Sequence, residues 1–254
     1  MLEVRSLTKR YNGIPAIEDV SFQIAAGEVL GYVGPNGAGK STTVKILIGL
    51  LEPSEGEIWF GGRSTLDDLA GFQERVGYVP EEPYLYPYLS GHEYLQLAGR
   101  LRGIPHRMLE SKIGELLHLF GLWDDQHCAV STYSKGMRQK ILLSAALIGN
   151  PEVLVLDEPM SGLDVTTALV LRELLRALAE RGRMILYSSH VLEVVEKICT
   201  RVLILRKGRV AAHDSVAHLR EQLHQPSLEA IFAELTTGPD PREAAGRILE
   251  VVQA

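Results

Sequence analysis

The chain has 254 residues, 46% of them hydrophobic, with 26 Lys and Arg against 32 Asp and Glu for a net charge of −6. It can bury a full core at the upper end for one domain, and it carries no basic footprint for nucleic acid. Its two cysteines, Cys128 and Cys199, cannot build a disulfide framework or a CxxC metal or redox site, which fits a reducing cytosol. The N-terminus has no hydrophobic signal core and no apolar run approaches about 18 residues, so any work at a membrane is expected from its surface.

The first stretch reads as strands. Asn12-Gly13 is a hairpin turn signal, and Val20, Phe22 and Ile24 alternate with polar residues. An apolar strand, Val29–Val33, leads through a glycine-rich loop into a helix expected over Thr43–Leu51. Glu57–Phe60 and Val76–Val79 read as short strands. Pro80 to Pro87 is too proline-rich for helix or central strand and should be an exposed connector. Apolar residues at three- and four-residue spacing then predict helices over 90–102, 106–120 and 135–149.

Val153–Leu156 has the all-apolar character of a strand buried on both faces of a parallel sheet. Helix Thr166–Arg181, strand Met184–Ser188, helix Val191–Ile198 and strand Val202–Leu205 follow in alternation, and Lys207-Gly208 closes a last hairpin. Two short helices are expected over 227–236 and 241–252. This order predicts an α/β fold: a P-loop-type core with a parallel sheet, an antiparallel β entry and an inserted helical subdomain of about sixty residues. The expected division is a domain over 1–225, with 88–149 as the insertion, and a helical extension over 226–254.

The loop reads Gly34-Pro35-Asn36-Gly37-Ala38-Gly39-Lys40-Ser41-Thr42, between a strand and a helix. Glycines let successive backbone N–H groups turn inward around a phosphate chain, and the following helix N-terminus adds its positive dipole end. Lys40 would reach the β- and γ-phosphates and the Ser41 hydroxyl would ligate Mg²⁺. This is a P-loop in its proper context, so the chain is expected to bind a nucleoside triphosphate. Farther on, Val153-Leu154-Val155-Leu156-Asp157-Glu158 places two carboxylates at the end of a parallel strand, where ligands sit in such sheets. Asp157 would hold Mg²⁺ through its water shell, and Glu158 could take a proton from the water attacking the γ-phosphate.

Tyr133-Ser134-Lys135-Gly136-Met137-Arg138-Gln139 precedes the apolar run Ile141–Ile148, with Ser134 where an N-cap belongs. In this setting the chain resembles the nucleotide-binding subunit of ATP-binding cassette (ABC) transporters, from Leu2 to about Leu235. Tyr133 to Met137 is a variant of that family's Leu-Ser-Gly-Gly-Gln signature that keeps the serine and the second glycine. Ser161-Gly162-Leu163-Asp164 matches its D-loop and Ser188-Ser189-His190 its switch loop. Tyr11 matches the aromatic that stacks on adenine.

The resemblance implies ATP and Mg²⁺ as the bound species and a head-to-tail homo- or heterodimer of nucleotide-binding subunits. Each ATP would lie between Lys40 of one subunit and Ser134 and Gly136 of the other, with His190 at the γ-phosphate. It also implies separate transmembrane permease subunits, a place at the cytoplasmic face of the cell membrane, and no nucleic acid partner. The chain departs from the family at Glu81, where a glutamine usually reaches Mg²⁺ and the attacking water. A glutamate keeps the acceptor but adds negative charge near the γ-phosphate. Glu81, the signature variant and the ending Leu228 to Thr236 resemble the stand-alone ATPases of type-2 exporters of drugs, antibiotics and polysaccharides. Tyr84, Tyr86, Tyr88 and Tyr94 are expected either to form an interface groove for the permease or to pack under the loop as a satellite cluster. The alternative is a soluble ABC ATPase driving cofactor assembly or DNA or ribosome remodelling.

Overall fold

The computed structural model describes residues 1–236, 247 and 249–252. The chain begins with strands β1 (Leu2–Tyr11), β2 (Ile14–Ile24) and β3 (Val29–Val33), then helix α1 (Lys40–Leu47). Next come β4 (Glu55–Phe60), β5 (Arg63–Ser64), α2 (Leu69–Glu74) and β6 (Val76–Val79). Helices α3 (Gly91–Leu101), α4 (His106–Leu119) and α5 (Lys135–Leu147) follow, with a 3₁₀ turn at Val130–Thr132 before α5. The remainder is β7 (Val153–Asp157), α6 (Val165–Glu180), β8 (Met184–Ser188), α7 (Leu192–Ile198), β9 (Arg201–Arg206), β10 (Arg209–Ser215), α8 (Val216–Gln222) and α9 (Leu228–Thr236).

Two sheets form. The first is antiparallel in the order β2-β1-β4-β5, and the second has six strands in the order β10-β9-β3-β8-β7-β6. Within the second, β9, β3, β8, β7 and β6 are parallel, and β10 joins the edge antiparallel. Asn12 and Gly13 turn β1 into β2 with φ of 49° and 82°, and Lys207 and Gly208 do the same for β9 and β10 at 48° and 78°. Both central residues are left-handed, as a two-residue hairpin turn that matches strand twist requires. Gly208 also buckles the two sheets together: its N–H donates to Ala38 O at 3.0 Å and its carbonyl accepts from Glu18 N–H at 2.8 Å.

Every residue of β3, β7 and β8 is buried, and period-two alternation sends successive side chains to opposite faces. Leu154, Leu156, Ile185 and Tyr187 join one core with Leu109, Ile113 and Leu117 of α4. Val153, Val155, Met184 and Leu186 join the other with α1 and the antiparallel sheet. Each fully buried aliphatic side chain contributes roughly 1.5–3 kcal/mol, so the central strands anchor both layers. Asp157, two residues past Val155, continues the series toward the α1 side.

Several helix starts are set by side-chain caps. Ser90 and Glu93 form a reciprocal capping box on α3, and Ser134 and Asp164 accept from backbone N–H groups three residues on at 3.2 and 2.8 Å. The expected helix at Thr43–Leu51 instead runs Lys40–Leu47, because Gly39 at φ 106° delivers the chain directly into the first turn and Gly49 at φ 73° ends it. Two helices were not expected: α2, capped by Asp68, and α8, capped by Ser215, six and seven residues long. The connector 80–87 has no regular structure, and Tyr84, Tyr86 and Tyr88 on and beside it are exposed. Of the helix expected over 241–252, residues 241–246 and 248 lie outside the described residues; 247 and 249–252 are helical. The two cysteines are free: Cys128 is exposed, and Cys199 is buried against Gly31.

One buried hydrogen bond ties β3 to α1. The Tyr32 hydroxyl donates to Thr43 Oγ1 at 2.9 Å, and that oxygen donates to Gly39 O at 3.2 Å. Burial pushes the Tyr32 phenol well above its ordinary pKa. Tyr32→Phe should therefore cost about 1–2 kcal/mol in urea unfolding without changing the unfolding slope.

Candidate active site

The loop between β3 and α1 is shaped by what surrounds it. A side chain at Gly34 would place its Cβ 2.6 Å from Leu205 O, and Gly39 combines a φ of 106° with a close approach to Ile17. No side chain caps α1, so its first-turn N–H groups face out of the loop, an arrangement that favours an anion. Lys40 Nζ donates to Gly34 O at 2.6 Å and to Pro35 O at 3.3 Å.

Opposite the loop, β7 ends in Asp157 and Glu158, both buried. Glu158 sits at φ 48°, a left-handed conformation rare for a residue with a side chain. Its carboxylate is fully engaged. Oε1 accepts from the His190 backbone N–H at 2.6 Å and faces His190 Nδ1 at 2.7 Å, while Oε2 accepts from Ser189 Oγ at 2.9 Å. The end of β8 thus holds the end of β7, and the exposed His190 imidazole stands over the contact.

Asn36, Gly37, Gly39, Lys40, Ser41, Thr42, Glu81, Asp157, Glu158 and His190 line one cavity of about 240 Å³, together with Ala16 of β2. Ala16 was not anticipated; a small residue on a strand carries no signal of its own. Gly34 and Ala38 support the loop without lining the cavity. Tyr11 is exposed at the end of β1, with Lys9 Nζ 5.6 Å from its ring centre, and is not on the wall. Ser134 and Gly136 are not on it either. They start α5, where a Cβ on Gly136 would lie 2.5 Å from Gly162 O. Gln139 on the same helix, fully buried, donates to Pro159 O at 3.0 Å and so ties α5 to the segment that follows Glu158.

Charge is crowded here. Burial, and then the nearby Glu81 and Glu158 carboxylates, raise the Asp157 pKa against the opposing pull of Ser188 and Lys40. The half-buried Tyr78 phenol is pushed up to about 12 by burial and then by the charges of Asp157 and Glu81. Three carboxylates against one lysine make a site short of positive charge. The oxygen donors Ser41, Asp157 and Glu81 are the hard ligands Mg²⁺ takes when phosphate oxygens complete its shell, so the residues present fit that ion.

A larger groove of about 510 Å³ lies beside the cavity, lined among others by Ile48, Leu50, Tyr78, Tyr94, Leu142, Glu74 and Arg102. Tyr78 of β6 lines this groove, and its phenol feels the Asp157 and Glu81 charges of the cavity. No helix among the described residues is long and apolar enough to cross a membrane.

Residues 17–161 match the family model described as ABC transporter. The chain is 35% identical over 212 residues to the linearmycin resistance ATP-binding protein LnrL of Bacillus subtilis (strain 168), covering 84% of this chain and 68% of that one. A solved structure of an ATP-binding subunit of an ABC transporter superposes with a TM-score of 0.88 at 35% identity, over 93% of this chain and all of the other. The ATP-binding cassette MJ0796, solved as a dimer in a post-hydrolysis state with ADP and Pi, superposes with a TM-score of 0.78 at 25% identity, over 85% of this chain and 98% of that one. With the loop, the paired carboxylates and the fold in agreement, the chain belongs to the ABC transporter family as one of its ATP-binding, ATP-hydrolysing subunits.

Proposed function

We propose that this subunit works as a head-to-tail dimer with a second copy or a related cassette and powers export through a separate membrane permease, from the cytoplasmic face of the cell membrane. The observation that carries the reading is the Glu158 carboxylate: buried, gripped by Ser189 and His190, and facing the loop that would hold the phosphates.

In this reading Lys40 exchanges the Gly34 and Pro35 carbonyls for phosphate oxygens of ATP, and the open N–H groups of α1 take the rest of the phosphate charge. Mg²⁺, held by Ser41, Asp157 and Glu81, would neutralise charge on the β- and γ-phosphates. Glu158 accepts the proton of the attacking water, and His190 orients Glu158 and contacts the γ-phosphate. Tyr11 would stack on adenine, since the small cavity accommodates the phosphates and the ring must lie outside it.

Ser134 and Gly136 stand apart from their own chain's cavity at a helix end, which supports their use on a second copy's nucleotide; the dimeric MJ0796 cassette supports the same arrangement. For a permease, the support is the groove, whose Tyr94 meets the ring of exposed Tyr86, and the exposure of Tyr84 and Tyr88 on and beside the connector. For export, it is the signature variant, Glu81, and the likeness to a resistance protein. The cassette would span 1–225 with 88–149 as its helical insertion, and 226–254 would extend it.

Glu158→Gln should lower ATP turnover by about 10²–10⁴-fold while ATP binding persists. Held in Mg-ATP, that protein should capture a polytopic permease from membrane extract; an unchanged hydrolysis rate would overturn the assignment of the base. Glu81→Gln should keep or raise ATPase activity, and a complete loss would show that the carboxylate itself is needed.

Asp157→Asn separates stability from function. A raised folded-state pKa means that the stability cost of ionising Asp157 is absent below the usual carboxylate range, grows as the pH rises from there, and is complete above its folded value. The metal-free variant should therefore melt higher than wild type near neutral pH, with the gain shrinking toward pH 4, while Mg²⁺-dependent hydrolysis is lost.

A further inference from the structure

Arg102 is the C-cap of α3, far from the cavity, yet its side chain joins three elements. Nη1 donates to Glu74 O at 2.8 Å and Nη2 to Val76 O at 2.7 Å, the carbonyls at the junction of α2 and β6. Its aliphatic stem lies on Gly149, just past α5, where an added Cβ would come 2.7 Å from Arg102 Cδ. Burial draws the guanidinium pKa down, against the pull of Glu74. Arg75 O, between the two carbonyls, accepts from Glu152 and Val153 N–H at 2.9 and 3.1 Å, so β7 starts from the same knot.

The opposite ends of these elements are the interesting ones. Strand β6 runs from Val76 to Val79 and reaches Glu81 two residues later; β7 ends at Asp157; α5 begins directly after Ser134. Short strands and a helix of 13 residues are stiff rods, so a tie at one end sets the spacing at the other. Lysine could not reproduce it, because a point charge does not span two carbonyls as a planar fork does.

We propose that Arg102 is a positioning residue that sets where the Ser134–Gly136 helix end lies relative to Glu81 and Asp157, and thereby how well a second copy's nucleotide is closed between them. This rests on the head-to-tail dimer of the preceding section. It places a determinant of dimer closure in the wall of the groove, where a bound partner would touch it.

The test uses the full chain carrying Glu158→Gln. ATP-dependent dimerisation is followed by analytical ultracentrifugation, and ATP affinity of the dilute monomer by fluorescence of a labelled nucleotide. Adding Arg102→Met, which keeps the stem over Gly149 and loses both bonds, should weaken dimerisation by about tenfold and leave monomer affinity within about twofold. Arg102→Lys should recover part of the loss. Should Arg102→Met fail to fold, Gly149→Ala carries the same expectation by pushing the stem aside. Unchanged dimerisation overturns the proposal, and so does an equal fall in monomer affinity, which marks a plain fold contact. If the Glu158→Gln parent does not dimerise in ATP, the dimer reading itself falls and Arg102's role with it.

Discussion

Three carboxylates, Asp157, Glu158 and Glu81, face one lysine in a cavity of about 240 Å³. Like charges in a partly dry site repel, and the elevated Asp157 pKa records that repulsion together with burial. The protein tolerates it because each member is held by something other than its neighbours. Glu158 is bonded on both oxygens by Ser189 and His190, while Asp157 is fixed by its strand and Glu81 is exposed. Asp157, Glu81 and Ser41 would hold a divalent cation there, and its charge would offset the imbalance.

The sheet order supplies that arrangement. Placing β3 between β9 and β8, with β7 and β6 beyond, sets the phosphate loop beside the ends of β7 and β8 although these strands lie far apart in the chain. Parallel strands all discharge their C-terminal loops on one edge, so the loop after β3, the carboxylates after β7, His190 after β8 and Glu81 after β6 meet there. The hydrophobic alternation that builds two cores also decides that Asp157 continues the Val155 series toward α1.

Much of this was legible in the residues. The phosphate loop and the paired carboxylates announce themselves through glycine spacing and an apolar strand with an acidic end, and Asn12-Gly13 and Lys207-Gly208 mark their turns because few other pairs accept two left-handed residues. Helices α2 and α8 were not legible: unlike α7, which lies between two apolar strands in strict alternation, they are short segments beside turns, and their caps, Asp68 and Ser215, resemble any loop residue. The Arg102 tie was hidden for a different reason: its partners are backbone carbonyls, and every residue has one. Ala16 on the cavity wall and the Gly136–Gly162 contact depend on tertiary approach, which no local pattern encodes.

The turn at Gly208 bonds at once to Ala38 in the phosphate loop and, through its carbonyl, to Glu18 on β2. The antiparallel sheet, the phosphate loop and the β9–β10 ribbon are therefore bolted into a single plate. The irregular connector after β6, at the opposite edge of the sheet, lies outside that plate. Displacing the β9–β10 hairpin would therefore move the phosphate loop and β2 together.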